Sequence, residues 1–142
     1  MATFAPIYNP AVPFQSAILG GIAVGKTVRI QGQAHSNAGW FAVNFICSNN
    51  DIAFHFNPRF SDGNVTVCNT KQGGDWGAEE RRHKMPFKQN TYFDITITVM
   101  GHAFQVNHNG EYLLEYRHRL PFQNIQSIQI AGDLNLGCVS FS

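Results

Sequence analysis

The sequence predicts an all-β domain, an antiparallel sandwich or barrel, and three observations carry that reading. Apolar residues recur at every second position in short runs, turn-forming clusters separate the runs, and no strand pattern alternates with a helical one. The first run, "KTVRIQGQ" from Lys26, follows the turn pair Gly20-Gly21, and "NAG", Asn37 to Gly39, separates it from "WFAVNFICS", Trp40 to Ser48. "DIAFHFNPRF", Asp51 to Phe60, ends at "SDG", Ser61 to Gly63, before "NVTVCNTK", Asn64 to Lys71. "YFDITITVM" from Tyr92 and "HAFQV" from His102 follow, and Asn109-Gly110, a strong hairpin signal, leads into "EYLLEYRHR" from Glu111. "IQSIQI" from Ile125 and "LNLGCVSF" from Leu134 complete the pattern, with a single helical turn expected near "PFQN", Pro121 to Asn124. No internal repeat, low-complexity tract or linker divides the chain, so residues 1–142 read as one domain.

Charge and composition remove several function classes. The chain has 142 residues, one ordinary domain's worth, and 44% hydrophobic content, enough for one packed core. Only 13% of residues are charged and the net charge is +1, so no global field favours nucleic acid or an anionic membrane surface. No apolar run approaches the length of a membrane helix, and "MATFAPIYNPAVPFQSAILGG" has no basic start and is interrupted by prolines. The expectation is therefore synthesis in the cytosol without membrane insertion, and an unmodified Asn64 despite the glycosylation pattern "NVT". Cys47, Cys68 and Cys138 are odd in number and never in C-x-x-C spacing, which argues for reduced thiols and against a disulfide scaffold or a zinc site.

The specificity must then be local, and the run from Asp51 to Phe60 shows where. Alternate side chains of a strand point to opposite faces, so Ile52, Phe54, Phe56 and Phe60 are expected inward. Asp51, Ala53, His55, Asn57 and Arg59 are expected together on the outer face, with His55 and Arg59 roughly 13 Å apart, about the length of a disaccharide. A merely soluble sheet face carries mixed Lys, Glu, Thr and Ser; this one offers rigid hydrogen-bonding heads. By the same parity Asn69 faces outward and Cys68 inward, where a buried thiol is inert. "GGD", Gly73 to Asp75, breaks the strand and presents Trp76, partly exposed, at the start of the next. There Glu79 and Arg81 share one face and Glu80 and Arg82 the other.

The segments "HFNPR", "VCNT" and "WGAEER", in this order and spacing, together with "AVPF" near the start and "HRLPF" near the end, resemble the galectins, the β-galactoside-binding lectins. The resemblance covers essentially the whole chain. It implies a jelly-roll sandwich of two antiparallel sheets with the sugar lying across the concave one. It further implies that His55, Asn57 and Arg59 hydrogen-bond the galactose 4-hydroxyl, that Asn69 and Glu79 take the 6-hydroxyl, and that Trp76 stacks beneath the ring. Arg59, Glu79 and Arg81 would reach the adjoining glucose or N-acetylglucosamine. These roles fit elementary chemistry: the axial 4-hydroxyl of galactose leaves one ring face as a patch of C–H bonds that can cover an aromatic plane. Glu79 can also hold the guanidinium groups of Arg59 and Arg81 in fixed orientation. Two features depart from the commonest pattern: the loop "SDGN" is short, as in the N-terminal domains of tandem-repeat members, and Trp40 stands where several members have an arginine.

The implied function is a calcium-independent lectin for lactose- or N-acetyllactosamine-type glycans on glycoproteins or glycolipids, with no cofactor. The alternative is a protein-interaction module of the same family with weakened or altered sugar specificity. The family leaves cells by a route that needs no signal peptide. Crosslinking needs two sites, which implies either a homodimer through terminal strands or a second domain in a longer chain, and both readings stay open. A glycosidase would need two carboxylates facing one bond, whereas Glu79 and Glu80 are adjacent and point apart, and Asp62 and Asp75 sit in glycine turns where local capping explains them. A metal site would need clustered ligands, and the six histidines are scattered.

Overall fold

The computed structural model describes residues 4–142. Thirteen strands form two antiparallel sheets: β1 (Ile7–Tyr8), β2 (Phe14–Ala17), β3 (Thr27–Ala34), β4 (Phe41–Cys47), β5 (Ile52–Arg59), β6 (Val65–Gln72), β7 (Asp75–Trp76), β8 (Glu80–Arg82), β9 (Tyr92–Val99), β10 (Ala103–His108), β11 (Glu111–Arg117), β12 (Ile125–Gly132) and β13 (Leu134–Phe141). The first sheet runs β1-β13-β3-β9-β10-β11 and the second β2-β12-β4-β5-β6-β7, with β8 paired to β6 beside β7. Among the described residues the sole helical feature is the 3-10 turn Phe122–Asn124, where the sequence places one. Among these residues no helix is long and apolar enough to cross a membrane.

The inward rows of both sheets interdigitate into one aromatic-rich core. Phe54 stacks on Phe104 and Tyr116 with ring centroids 4.8 and 4.9 Å away, joining β5 of the second sheet to β10 and β11 of the first. The turns follow local chemistry. Asn109 and Gly110 both have positive φ, as a two-residue hairpin requires, and they join β10 to β11. Gly73 and Gly74 do the same between β6 and β7, pairing Trp76 with Lys71. Cys68 is fully buried, and burial pushes its thiol up to about 12, so it is inert at neutral pH.

The structure corrects the expected strand list in three places. β1 and β2 lie in the proline-interrupted first segment, where two and four residues are too few to show a period. Trp76 closes a short hairpin with β6 rather than opening a longer strand, and β8 begins separately at Glu80. The outward row of β5 is shorter than alternation implies. Between Ile52 and His55 the strand holds one residue more than β6 opposite it, a bulge that reverses the parity and carries Ala53 into the core at 2% exposure. The outer row thus begins at His55. Asp51, off that row, accepts a hydrogen bond from the Gly73 N–H at 2.9 Å and ties down the β6–β7 turn.

Candidate functional site

Strand register brings distant residues into one cleft on the outer face of the second sheet. His55 on β5 pairs with Asn69 on β6, Asn57 with Val67, and Val67 in turn with Arg81 on β8. The resulting cleft, about 360 Å³, is lined by His55, Arg59, Val67, Asn69, Trp76, Gly77 and Glu79. Val67 supplies an apolar floor. Trp76 stands at one wall, 47% exposed, its ring centroid 4.7 Å from that of His55.

Each polar group is held by a partner beneath or beside it. His55 Nδ1 lies 2.6 Å from Asn44 Oδ1, and Asn44 Nδ2 donates to Gln129 Oε1 at 3.2 Å. A carbonyl oxygen can only accept, so His55 carries its proton on Nδ1 and presents the Nε2 lone pair to the cleft. Burial, and secondarily the charge of Arg59, pushes the His55 pKa down to about 4, so the ring is neutral at pH 7. Asn57 is 5% exposed, and both ends of its amide are occupied: Nδ2 donates to the Phe41 carbonyl at 2.8 Å and Oδ1 accepts from Arg59 Nε at 2.7 Å. It sits below the cleft and orients Arg59.

Arg59, Glu79, Arg81 and Asp62 form a closed ring of charge. Arg59 Nη1 donates to Asp62 Oδ2 at 3.1 Å and Nη2 to Glu79 Oε2 at 3.3 Å. Arg81 Nε donates to Glu79 Oε1 at 3.0 Å and its Nη2 to Asp62 Oδ2 at 3.1 Å. Two guanidiniums and two carboxylates cancel in charge. Exposed pairs of this kind add little stability singly, but the ring fixes the plane of each guanidinium and leaves its other N–H groups free to face a ligand. The two arginines hold the Asp62 carboxyl below its usual range.

Asn69 is fixed as firmly. Its Oδ1 accepts from the Thr70 N–H at 2.8 Å and from Arg119 Nη1 at 3.1 Å, while Nδ2 donates to the Gly77 carbonyl at 2.9 Å. The structure therefore gathers His55, Arg59, Asn69, Trp76 and Glu79 around one space, puts Arg81 at its rim and Asn57 beneath. Sequence reasoning missed Asn44, Gln129, Asp62 and Arg119. Asp62 carries a signal, three residues after Arg59 in a turn, but a glycine turn by itself points to local capping. Glu80 turns away from Glu79 to pair with Arg82 and Arg119, each at 3.0 Å, so the two carboxylates do not face a common bond. Trp40 is bridged through its backbone to Arg59, and its ring edge packs over Gly132, where a Cβ would lie 3.0 Å from Trp40 Cε3; 44% of Trp40 stays exposed.

A larger cleft, about 530 Å³, lies on the other sheet among Gln31, Gln33, Tyr92, Asp94 and Asn135. Its carboxylate is already paired with Arg29 in two hydrogen bonds, and none of the motif residues reaches it. Size alone does not select it. The smaller cleft combines an exposed aromatic wall with preoriented donors and acceptors, the chemistry that recognises a polyhydroxylated ring.

Residues 13–141 match the family described as Galactoside-binding lectin. Galectin-4 of Homo sapiens is 43% identical over 141 residues, a match covering 97% of this chain and 44% of that protein. Galectin-3 of Cricetulus longicaudatus is 40% identical over 135 residues, covering 93% of this chain and 55% of its own length. The chain thus spans about half the length of the curated relatives it matches. Among solved structures, Caenorhabditis elegans galectin LEC-6 superposes with a TM-score of 0.90 at 28% identity, covering 96% of this chain and 95% of that one.

Proposed function

The chain belongs to the galactoside-binding lectin family, the galectins, and from that premise we propose that the cleft between β5 and β8 binds a β-galactoside of the lactose or N-acetyllactosamine type without calcium. One observation carries this reading: an exposed indole wall stands beside a set of hydrogen-bonding groups whose polarity is already decided. The galactose ring lies with its C–H face on Trp76. Its axial 4-hydroxyl donates to the His55 Nε2 lone pair and accepts from Arg59, which Asn57 holds in place. Its 6-hydroxyl lies between Asn69 and Glu79, and the adjoining sugar meets Arg59, Glu79 and Arg81. Every one of these contacts is made by a protein group, so no step calls for a metal ion. The ligands are glycans on glycoproteins or glycolipids, and crosslinking them takes a dimer or a second domain. The buried thiols Cys47 and Cys68 suit a chain made in the cytosol and delivered outside by a route that needs no signal peptide.

Titration of the purified chain with lactose in the presence of a chelator tests the proposal. One covered Trp face and several hydrogen bonds of modest net worth suggest about −5 to −7 kcal/mol, a dissociation constant of roughly 10 to 200 μM. Glu79→Gln keeps the shape but removes the charge that aligns Arg59 and Arg81. The loss should exceed one neutral hydrogen bond and reach about tenfold or more, with an unchanged melting temperature. No heat with lactose contradicts the lectin reading; a Glu79→Gln affinity within twofold of the parent contradicts the organising role of Glu79.

A further inference from the structure

We propose that Arg119 is a positioning residue of this site, and that its guanidinium sets the discrimination at the galactose 6-hydroxyl; the inference rests on the galactoside reading above. Arg119 lies just beyond β11, the edge strand of the first sheet, and reaches across to the second sheet. There it makes three hydrogen bonds: Nη1 to Asn69 Oδ1 at 3.1 Å, and Nη2 to the Ala78 carbonyl at 2.7 Å and to Glu80 Oε2 at 3.0 Å. The guanidinium lies over the Tyr116 ring, 5.0 Å from its centroid, a cation–π contact. The backbone presses against it closely: a Cβ at Gly77 would sit 2.9 Å from Arg119 Nη1 and 3.3 Å from Asn69 Oδ1.

Two consequences follow for the cleft. Trp76 and Glu79 flank Gly77 and Ala78, and the backbone of that pair is tied down by the Gly77 N–H to the Thr70 carbonyl, by Asn69 to the Gly77 carbonyl, and by Arg119 to the Ala78 carbonyl. The wall and the carboxylate are therefore placed by contacts on the residues between them. The second consequence concerns polarity. With the Thr70 N–H and Arg119 both donating to it, Asn69 Oδ1 has no free lone pair, and one Nδ2 hydrogen faces outward as a donor. A 6-hydroxyl must then accept from Asn69 and donate to Glu79, a pairing that a hydroxyl alone satisfies in both directions. Without Arg119 the Thr70 N–H and the Gly77 carbonyl still hold the amide, but one lone pair of Asn69 Oδ1 comes free and the Ala78 carbonyl beside Glu79 loses its tie, so neither the polarity at Asn69 nor the placement of Glu79 is fixed as strictly for the 6-hydroxyl.

Arg119 also joins the two sheets through Glu80 and Arg82, so its test needs a readout that loss of stability alone does not move. That readout is the ratio of affinities for lactose and for lactose lacking the galactose 6-hydroxyl. The parent should prefer lactose by about tenfold, the cost of leaving Asn69 and Glu79 unpaired. Arg119→Lys can reach one of the three acceptors, and its ratio should fall to about twofold or less, measured on protein shown to be folded by circular dichroism. A structural role alone would weaken both sugars by a common factor, and an unchanged ratio overturns the proposal. If Arg119→Lys does not fold, Glu80→Gln, which loosens the same guanidinium, carries the measurement: a ratio reduced to about threefold supports the proposal and an unchanged ratio overturns it. A parent that does not distinguish the two sugars overturns the placement of galactose itself, a separate failure visible before any variant is made.

Discussion

Cellobiose is expected to bind at least about a hundredfold more weakly than lactose. The two disaccharides differ at the non-reducing sugar only in the direction of the 4-hydroxyl, axial in lactose and equatorial in cellobiose. In the proposed pose the axial oxygen meets two groups of fixed polarity. His55 can only accept, because Asn44 holds its proton on Nδ1, and Arg59 can only donate, in a plane set by Asn57, Asp62 and Glu79. An equatorial hydroxyl moves away from both and leaves two half-buried polar groups without partners, at about 1 to 3 kcal/mol each. It also changes the ring face offered to Trp76. Competition between the sugars for one site, followed by calorimetry, measures the ratio; cellobiose within tenfold of lactose contradicts this account of the 4-hydroxyl.

Trp76→Leu is expected to weaken lactose by about thirtyfold or more while leaving the fold intact. Stacking removes on the order of 100 Å² of apolar surface from water on the two faces together, about 2.5 kcal/mol, of which leucine recovers a part. The variant should fold because Trp76 is 47% exposed and stands outside the core, touching His55 and Lys71 rather than the phenylalanine cluster. The melting temperature and the lactose titration of the same sample decide the matter. If Trp76→Leu binds lactose within twofold of the parent, the stacking surface lies elsewhere, and Trp40, also exposed on this sheet, becomes the alternative wall.

Much of this site was legible in the sequence because a strand has so simple a geometry. Period two put His55, Asn57 and Arg59 on one face and sent Cys68 to the core, and the Gly73-Gly74 pair announced the turn that presents Trp76. Three kinds of feature were not legible. The bulge that buries Ala53 depends on how β5 meets β6, and nothing in the run from Asp51 to Phe60 marks an extra residue. The two-residue strand β1 owes its existence to pairing with β13 at the far end of the chain, Ile7 opposite Val139. The residues that orient the cleft come from other strands: Asn44 from β4, Gln129 from β12 and Arg119 from beyond β11. Alternation predicts which way a side chain points but not what it meets, so the hold of Asn57 on the Phe41 carbonyl and on Arg59 could not be read from it.

Chemical-shift mapping of the isotopically labelled chain decides whether a β-galactoside binds in the cleft between His55 and Glu79. On addition of lactose, the shifts should concentrate on the Trp76 indole N–H, the Gly77 and Glu79 amides, the Asn69 side-chain amide and Arg59 Nε, all on or beside the cleft of about 360 Å³. The larger cleft on the opposite sheet, around Gln31, Gln33 and Asn135, should stay still. Shifts that instead cluster on that opposite face, or no shifts at millimolar lactose, would contradict the account.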